Sequence, residues 1–242
     1  MGITSINNKH IKEICRLKNK KYRDSCGLYI VETLHLVLEA LKHGNVVEVI
    51  VCLGNDINTD VKKTFVNDYV MKKLSSTESN PKFIAVVKKT YNNEYGNKLV
   101  ILDNIQDPGN LGAIIRSAVS FNIDTIILSD DCVDLYNPKV LRASEGMTFN
   151  INVIRTNLVS FINTIKKEDY LVLGTDVNDG IDVRDVDVPS KFAFVIGNEG
   201  NGITKEVRGL CDKNIYIKIN NNCESLNASV AASIIMYELN NK

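Results

Sequence analysis

The stretch LVILDNIQDPGNLGAIIRSAVSFNIDTIIL, residues 99–128, decides the fold class of the chain. Leu99–Leu102 is an apolar run typical of a buried strand, and a Pro-Gly turn leads from it into a helical pattern over Leu111–Phe121. A second apolar run, Thr125–Leu128, follows directly. Because the two strand patterns are continuously hydrophobic and joined by a helix, they predict a parallel β-α-β unit of an α/β fold.

The same alternation of strands and helices continues to the C-terminus. The patterns predict strands at Ile151–Ile154, Tyr170–Leu173, Phe192–Ile196 and Ile215–Ile219, and helices near Pro138–Arg142, Leu158–Lys167, Thr204–Leu210 and Ser225–Leu239. Such an order indicates a parallel sheet covered by helices on both faces. Ligands of these sheets bind at the carboxyl ends of the strands.

The first 96 residues predict a second, smaller α/β domain. Ile11 and Ile14 recur at helical spacing. Strands are predicted at Tyr29–Val31, Val46–Val51 and Phe83–Val87, and helices at Leu34–Leu41 and Val61–Phe65. The polar stretch Thr90–Lys98 marks the boundary between the two domains.

Composition excludes several classes of protein. The chain has 242 residues, of which 44% are hydrophobic and 24% charged, so global disorder is excluded. No apolar run reaches the roughly 18 residues of a membrane span, and the N-terminus lacks the apolar stretch of a signal peptide, so we expect a cytoplasmic protein. The six cysteines and three histidines are scattered without the spacing of metal ligands, and we predict no metal site.

The net charge of zero hides an asymmetry between the two parts. Residues 1–96 hold 15 basic against 10 acidic residues, and residues 97–242 hold 14 against 19. Residues 1–24 form a basic, flexible-looking lead with only two acids; its basic residues are Lys9, Lys12, Arg16, Lys18, Lys20, Lys21 and Arg23. This pattern favours a polyanion such as nucleic acid as partner, with an ordinary solvated helix face as the alternative.

Three stretches that carry chemistry each follow a predicted strand. In the first, Asp107–Arg116, Asn110 is expected to cap the helix, and Arg116 lies two turns along. Six residues correspond to about 600° of helix rotation, so the two side chains do not share one face. The alternative is a capped helix with a surface arginine.

The second stretch, Val195–Ile203, places three glycines around Glu199, which permits close approach of the backbone to a ligand. In the third, Ile217–Ser229, Ser225-Leu226-Asn227 opens a helix of small residues; the alternative is a polar loop with a capping serine. Neither G-x-G-x-x-G nor the P-loop motif occurs, which disfavours a nucleotide-binding oxidoreductase.

Together, the order and spacing of the three motifs resemble the SpoU (TrmH-type) branch of the knotted SPOUT RNA methyltransferases. Arg142-Ala143-Ser144-Glu145-Gly146 stands where that family carries an A-S-x-G segment, and residues 1–93 resemble its small substrate domain, which is similar to ribosomal protein L30e. The third motif departs from the family at Lys218, Ile219 and Asn221, where Pro, Met and Gly are usual. These positions bear on cofactor affinity because they belong to the family's cofactor loop.

The resemblance implies a methyltransferase domain over residues 97–242 with a C-terminal trefoil knot, and a homodimer formed through it. It also implies that the enzyme binds S-adenosylmethionine and methylates a ribose 2′-hydroxyl of RNA. Arg116 is placed near that hydroxyl, and Glu199 is expected to fix the glycine loop or Arg116. The implied catalytic residues are Asn110, Arg116, Glu199, Ser225 and Asn227, and the implied cofactor-binding residues are Gly174, Thr175, Ile196, Gly197, Gly200, Ile217, Leu226 and Ala228.

Within the family, the N-terminal domain favours 23S ribosomal RNA as substrate, because domains of this type recognise folded RNA turns. The alternatives are a transfer-RNA 2′-O-methyltransferase and a non-catalytic RNA-binding protein of the same fold. The presence of all five polar motif residues argues against the latter.

Overall fold

The computed structural model describes residues 2–78, 80–177 and 179–240. In its first part the elements are α1 (Lys9–Arg16), α2 (Lys20–Cys26), β1 (Leu28–Glu32), α3 (Leu34–Lys42), β2 (Val46–Cys52), β3 (Lys63–Val66), α4 (Asp68–Leu74) and β4 (Phe83–Lys88). In its second part they are β5 (Lys98–Leu102), α5 (Pro108–Ser120), β6 (Thr125–Leu128), α6 (Pro138–Ala143), β7 (Asn152–Arg155), α7 (Leu158–Lys166), β8 (Leu171–Thr175), β9 (Ile181–Asp182), β10 (Phe192–Ile196), α8 (Lys205–Arg208), β11 (Lys213–Tyr216) and α9 (Ala228–Asn240).

The chain divides into two compact units. The N-terminal unit comprises the residues up to Tyr91 together with Tyr136–Phe149, and the C-terminal unit comprises Asn92–Leu135 and the residues from Asn150 onward. The segment Tyr136–Phe149, which the sequence analysis placed with the second domain, packs on the first sheet. Its Leu141 is 2% exposed within the N-terminal core. The assignment of functions to residues 1–93 and 97–242 stays a prediction.

In the N-terminal unit the strands of a mixed sheet lie in the order β1-β4-β2-β3. Strand β4 is antiparallel to β1 and β2, and β3 is parallel to β2. Alternate strand residues face opposite sides: Ile50 and Ile84 pack with α1 and α4, whereas Val51 and Ala85 pack with α3. Period-2 alternation of this kind is what a sheet with two covered faces requires.

Two predictions for this unit are wrong. Residues 63–66 form strand β3 rather than part of a helix, because Phe65 and Val66 face opposite cores, as successive strand residues must. The helix follows as α4, which is capped by the Asn67 side chain. The basic lead is also ordered: Asn8 caps α1, Asn19 caps α2, and Ile11 of α1 is fully buried.

The C-terminal unit is built on a parallel sheet in the order β7-β6-β5-β10-β8-β11-β9, as the alternating pattern predicted. The predicted strands Thr125–Leu128 and Phe192–Ile196 are confirmed without change. Strand β11, by contrast, ends at Tyr216 rather than at Ile219. The trefoil knot stays a prediction.

The caps of the two helices at the site differ from the prediction. Asp107, not Asn110, caps α5: its side chain accepts a hydrogen bond of 2.8 Å from the Asn110 amide, since Pro108 occupies the first helical position. Likewise Asn227 caps α9, accepting from the Ser229 amide at 2.9 Å, so the helix begins at Ala228 rather than Ser225. Both shifts place Asn110 and Asn227 at the helix ends that face the loops.

Candidate functional site

The three predicted motifs follow the carboxyl ends of three parallel strands of the C-terminal sheet. Strands β5 and β10 are paired in parallel with Leu102 opposite Ile196, so the loops that follow them leave the same edge of the sheet. The third motif follows β11, two strands further along. Sequence-distant loops therefore converge because the strands run in one direction.

A chain of hydrogen bonds through Asn110 joins all three motifs. Its side-chain Nδ2 donates to Glu199 Oε1 at 2.8 Å, and its Oδ1 accepts from Asn227 Nδ2 at 2.9 Å. Asn110 itself is 8% exposed. Because an acceptor faces its amino group and a donor faces its carbonyl, rotating the amide by half a turn would lose both bonds. The side chain is held in one orientation.

The glycine loop is closed by its own backbone. Asn198 and Gly202 exchange two hydrogen bonds, of 3.0 and 2.9 Å. A Cβ added at Gly197 would lie 2.1 Å from the Gly202 carbonyl carbon, and Gly202 has a φ of 66°. Gly197 leaves no room for a side chain, and the positive φ of Gly202 favours glycine, so close approach of the chain to itself explains part of the glycine pattern.

Asn198 is a site residue that sequence reasoning missed. Its Oδ1 accepts from the Gly200 amide at 2.9 Å, and its Nδ2 donates to the Asn104 carbonyl at 2.9 Å. The side chain thus ties the glycine loop to the loop after β5. An asparagine directly after the first glycine of such a turn is the signal that could have found it, since Asn bonds readily to nearby backbone.

A cavity of about 580 Å³ lies beside these loops. Most of the predicted site residues line it, namely Thr175, Ile196, Gly197, Glu199, Gly200, Ile217, Ser225, Leu226, Asn227 and Ala228. Gly174 does not. A Cβ there would lie 2.8 Å from Asn214 Oδ1 and 3.0 Å from Cys211 Sγ, so this glycine serves the packing of β8.

One wall of the cavity carries an ion pair that the sequence did not reveal. Arg208 of α8 pairs with Asp176, the residue that follows β8, and both line the cavity. Three residues after α8, burial raises the pKa of the Cys211 thiol to about 11. The thiol therefore stays protonated at neutral pH and does not act as a nucleophile. Only tertiary structure brings Arg208 and Asp176 together, 32 residues apart.

Of the two expected partners of Glu199, the glycine loop and Arg116, the structure joins it to Asn198 of the loop. Among the described residues it has no bond to Arg116. The Arg116 side chain is exposed, and no hydrogen bond or ion pair joins it to any other group that the structure describes. The hydroxyl of Ser225 is likewise exposed and unbonded in this part of the chain. Both groups face solvent.

The cavity has the chemistry that S-adenosylmethionine requires. Its volume falls within the roughly 300–1,000 Å³ of small-molecule sites. Apolar surface for an adenine comes from Ile196, Ile217, Ile219 and Leu226. Polar groups come from Asp176 and from the glycine loop. Ile219, which replaces a methionine of the family pattern, keeps that wall apolar.

Two family models match the chain. The model of the SpoU rRNA Methylase family matches residues 97–237, and that of the MRM3-like substrate binding domain matches residues 8–85. The chain belongs to the SpoU rRNA methylase family. The resemblance inferred from the three motifs is thereby confirmed.

Individual relatives of this SpoU-family chain are methyltransferases as well. It is 33% identical to the 23S rRNA (guanosine(2553)-2'-O)-methyltransferase RlmP of Bacillus subtilis, over 98% of each chain. The AdoMet-bound rRNA methyltransferase of Sinorhizobium meliloti superposes with a TM-score of 0.89 at 25% identity, over 100% of this chain and 97% of that one. The SpoU methyltransferase AviRb of Streptomyces viridochromogenes shares the fold, with a TM-score of 0.87 at 24% identity over 97% and 98% of the two chains.

The structure contains no helix among its described residues that is long and apolar enough to cross a membrane. Within the same residues, no cluster of three or more His, Cys, Asp or Glu side chains has the arrangement of a metal site.

Proposed function

We propose that the chain is an S-adenosylmethionine-dependent methyltransferase that acts on a ribose 2′-hydroxyl of 23S ribosomal RNA. The observation that carries the proposal is the hydrogen-bond chain Glu199–Asn110–Asn227 beside the cavity, because it assembles all three family motifs into one site. Similarity to the RlmP methyltransferase over 98% of both chains supports 23S ribosomal RNA as the substrate.

The residues that would hold the cofactor are those of the cavity wall. Ile196, Ile217 and Leu226 contribute apolar surface, and the backbone of Gly197 and Gly200 lines the cavity without a side chain. When bound, S-adenosylmethionine supplies a methyl group already activated by its sulfonium. The protein therefore has mainly to position the ribose and to ease loss of the hydroxyl proton.

We assign Arg116 to the ribose oxygen. A guanidinium almost never deprotonates, so it is a poor base, but it stabilises negative charge that develops on the attacking oxygen. Its lack of a partner among the described residues supports this role, since its donors are available to RNA. The exposed Ser225 hydroxyl is available to the substrate in the same way.

Asn110, Glu199 and Asn227 act as positioning residues. Asn227 is engaged through both polar atoms of its amide, because its Nδ2 donates to Asn110 while its Oδ1 accepts from the Ser229 amide and hydroxyl at 2.9 and 2.7 Å. Glu199 holds Asn110 from the other side. Their bonds join the first turn of α5, the helix that carries Arg116, to Asn227, which lies two residues after Ser225.

The remaining assignments concern assembly. We infer that the N-terminal unit binds RNA, that the chain works in the cytoplasm, that the C-terminal part is knotted, and that α9 mediates a homodimer.

Support for the dimer comes from α9, whose inner side packs on α5 with a 2.7 Å contact between the Ser117 and Ser233 hydroxyls. On the same helix, Val230 and Tyr237 are 47% and 54% exposed. Sedimentation equilibrium tests this: a monomer at micromolar concentration contradicts the dimer.

Methyl transfer from labelled S-adenosylmethionine to unmodified RNA tests the function. We expect transfer to in-vitro-transcribed 23S ribosomal RNA, with the product resistant to alkaline hydrolysis at one position. Transfer to transfer RNA alone would change the substrate class. Cofactor binding without transfer to either RNA would contradict the activity.

A further inference from the structure

Helices α1 and α4 form one layer on the same face of the N-terminal sheet. Ile11 and Ile14 of α1 and Met71 of α4 belong to one buried cluster. The helices are also joined at their C-terminal ends, where Lys18 Nζ donates to the Lys73 carbonyl at 2.9 Å. Their outer sides therefore face solvent together.

Four lysines on this outer side form no ion pair within the described part of the chain. Lys9 and Lys12 of α1 and Lys72 and Lys73 of α4 are exposed, and their ammonium groups form no ion pair or hydrogen bond with the residues that the structure describes.

The acids of the same two helices are already engaged. Glu13 lies 3.4 Å from Arg16 and accepts a hydrogen bond from Tyr22, and Asp68 lies 2.6 Å from Lys82. Of the four lysines, only Lys9 is near enough to one of these acids to help lower its pKa, that of Glu13, so the layer keeps an excess of positive charge.

An exposed aromatic ring lies beside these charges. Tyr69 of α4 is 63% exposed, and Lys72 and Lys73 follow it at the i+3 and i+4 positions, which neighbour it on a helix surface. Aromatic rings among lysines are the arrangement with which proteins bind unpaired nucleotides: bases stack on the ring while ammonium groups contact phosphates.

We propose that this α1/α4 lysine surface (Lys9, Lys12, Tyr69, Lys72 and Lys73) binds an unpaired segment of the substrate RNA, with one base stacked on Tyr69. The proposal rests on the proposed function and adds to it the surface and the single-stranded form of the RNA segment. It also distinguishes four lysines of the N-terminal lead from one another. Lys18 and Lys20 are engaged within the protein, the latter with Asp24 at 3.0 Å, whereas Lys9 and Lys12 are available.

The test compares two double charge reversals in the full chain. Lys12→Glu/Lys72→Glu removes two contacts of the surface, while Lys88→Glu/Lys167→Glu makes the same change in net charge at exposed, unpaired lysines elsewhere. Binding to fluorescein-labelled, in-vitro-transcribed 23S ribosomal RNA is measured over a range of salt concentrations. We expect the first variant to lose at least about tenfold in affinity and about 1.4 in the slope of log K against log salt, since each single-strand phosphate contributes about 0.7. The second should stay within about twofold of wild type.

A second pair of variants tests the stacking. Tyr69→Ala should weaken binding about tenfold, the scale of one lost base–aromatic contact, while Tyr69→Phe keeps the ring and should bind as wild type. Equal losses in Tyr69→Ala and Tyr69→Phe, or equal losses in the two double variants, would overturn the proposal.

Methyl transfer and calorimetric cofactor titration on the same preparations separate this proposal from the proposed function. A wild-type chain that methylates 23S ribosomal RNA while the surface variants bind RNA normally would contradict the surface alone. A wild-type chain that binds neither RNA nor cofactor would contradict the function.

Discussion

In the C-terminal unit the side chains of Asn110, Asn198 and Asn227 each form hydrogen bonds with other loops, whereas in the N-terminal unit the ammonium groups of Lys12 and Lys72 have no partner among the described residues. The C-terminal unit carries the site, where a small displacement of a reacting group lowers the rate. Its polar side chains are already fixed by hydrogen bonds before the substrate binds. The N-terminal unit, for which we propose RNA binding, would need attraction over a wide surface, and unpaired charges supply it. Under the proposed function, the contrast teaches that the site uses polar side chains that are already bonded, whereas the RNA-binding surface uses charged side chains that are unpaired.

Arg116 is the exception in the C-terminal unit, and its substitution has the largest expected effect. Arg116→Ala and Arg116→Lys should each lower the single-turnover rate of methyl transfer at least about a hundredfold, the scale of one lost transition-state donor. Lysine keeps the charge but not the planar fork of donors. Cofactor affinity from calorimetry should change little, since Arg116 does not line the cavity. Wild-type turnover in Arg116→Ala would remove this residue from the mechanism.

An alanine substitution in the glycine loop tests whether cofactor binding needs the close backbone contacts of this loop. In Gly197→Ala the new methyl would meet the Gly202 carbonyl carbon at 2.1 Å, so the loop must move. We expect cofactor affinity to fall about tenfold or more, in line with the 1–3 kcal/mol cost of overpacking. Gly209→Ala is the matched control, because its nearest neighbour would be the Lys205 carbonyl oxygen at 3.5 Å, an ordinary contact, and Gly209 does not line the cavity. Equal affinities in the two variants would contradict the account.

Breaking the hydrogen-bond chain should have a smaller effect. Asn110→Ala loses both side-chain bonds, and we expect a rate about tenfold lower together with a loss of about 1–2 kcal/mol in the free energy of unfolding. Asn110→Asp should be worse than alanine, since it sets a carboxylate against Glu199. Glu199→Gln retains an acceptor for Asn110 Nδ2 and should be the mildest of the three. If Glu199→Gln were the most damaging, Glu199 would act through its charge rather than by positioning Asn110.

The smallest effect is expected in the N-terminal unit, at the start of α3. Thr33 has φ 83° and ψ 150°, a conformation that costs a non-glycine residue about 1–3 kcal/mol. Thr33→Gly should therefore raise the free energy of unfolding by about 1 kcal/mol despite the lost cap, measured by urea denaturation. Thr33→Ala keeps the strained backbone, loses the cap, and should be less stable than wild type. A glycine variant less stable than the alanine variant would show that Thr33 is unstrained.

The sequence predicted elements best where the signal is local. The apolar runs Thr125–Leu128 and Phe192–Ile196 predicted the first and last residues of their strands correctly. A buried parallel strand is recognised from its own continuous hydrophobic residues alone. The motif residues Asn110, Glu199 and Asn227 were also identified as a group. Their mutual bonds were not, since a spacing of 89 or 117 residues carries no information about which atom faces which.

The features that the sequence did not predict all depend on contacts between distant parts of the chain. The sequence predicts a helix in place of strand β3, because the short segment becomes a strand only through its pairing with β2. The pairing of Arg208 with Asp176 and the packing of Tyr136–Phe149 with the N-terminal sheet likewise depend on parts of the chain distant in sequence. Local patterns therefore predicted the sheet and the motifs, and tertiary contacts supplied the arrangement of the site.

Mapping of 2′-O-methyl groups in total RNA tests the central claim most directly. The RNA comes from cells that carry the wild-type gene, a deletion, or the deletion complemented with Arg116→Ala. The account predicts that one ribose of 23S ribosomal RNA is methylated with the wild-type protein and unmethylated in the other two strains. An identical methylation pattern in all three strains, or a change confined to transfer RNA, would contradict it.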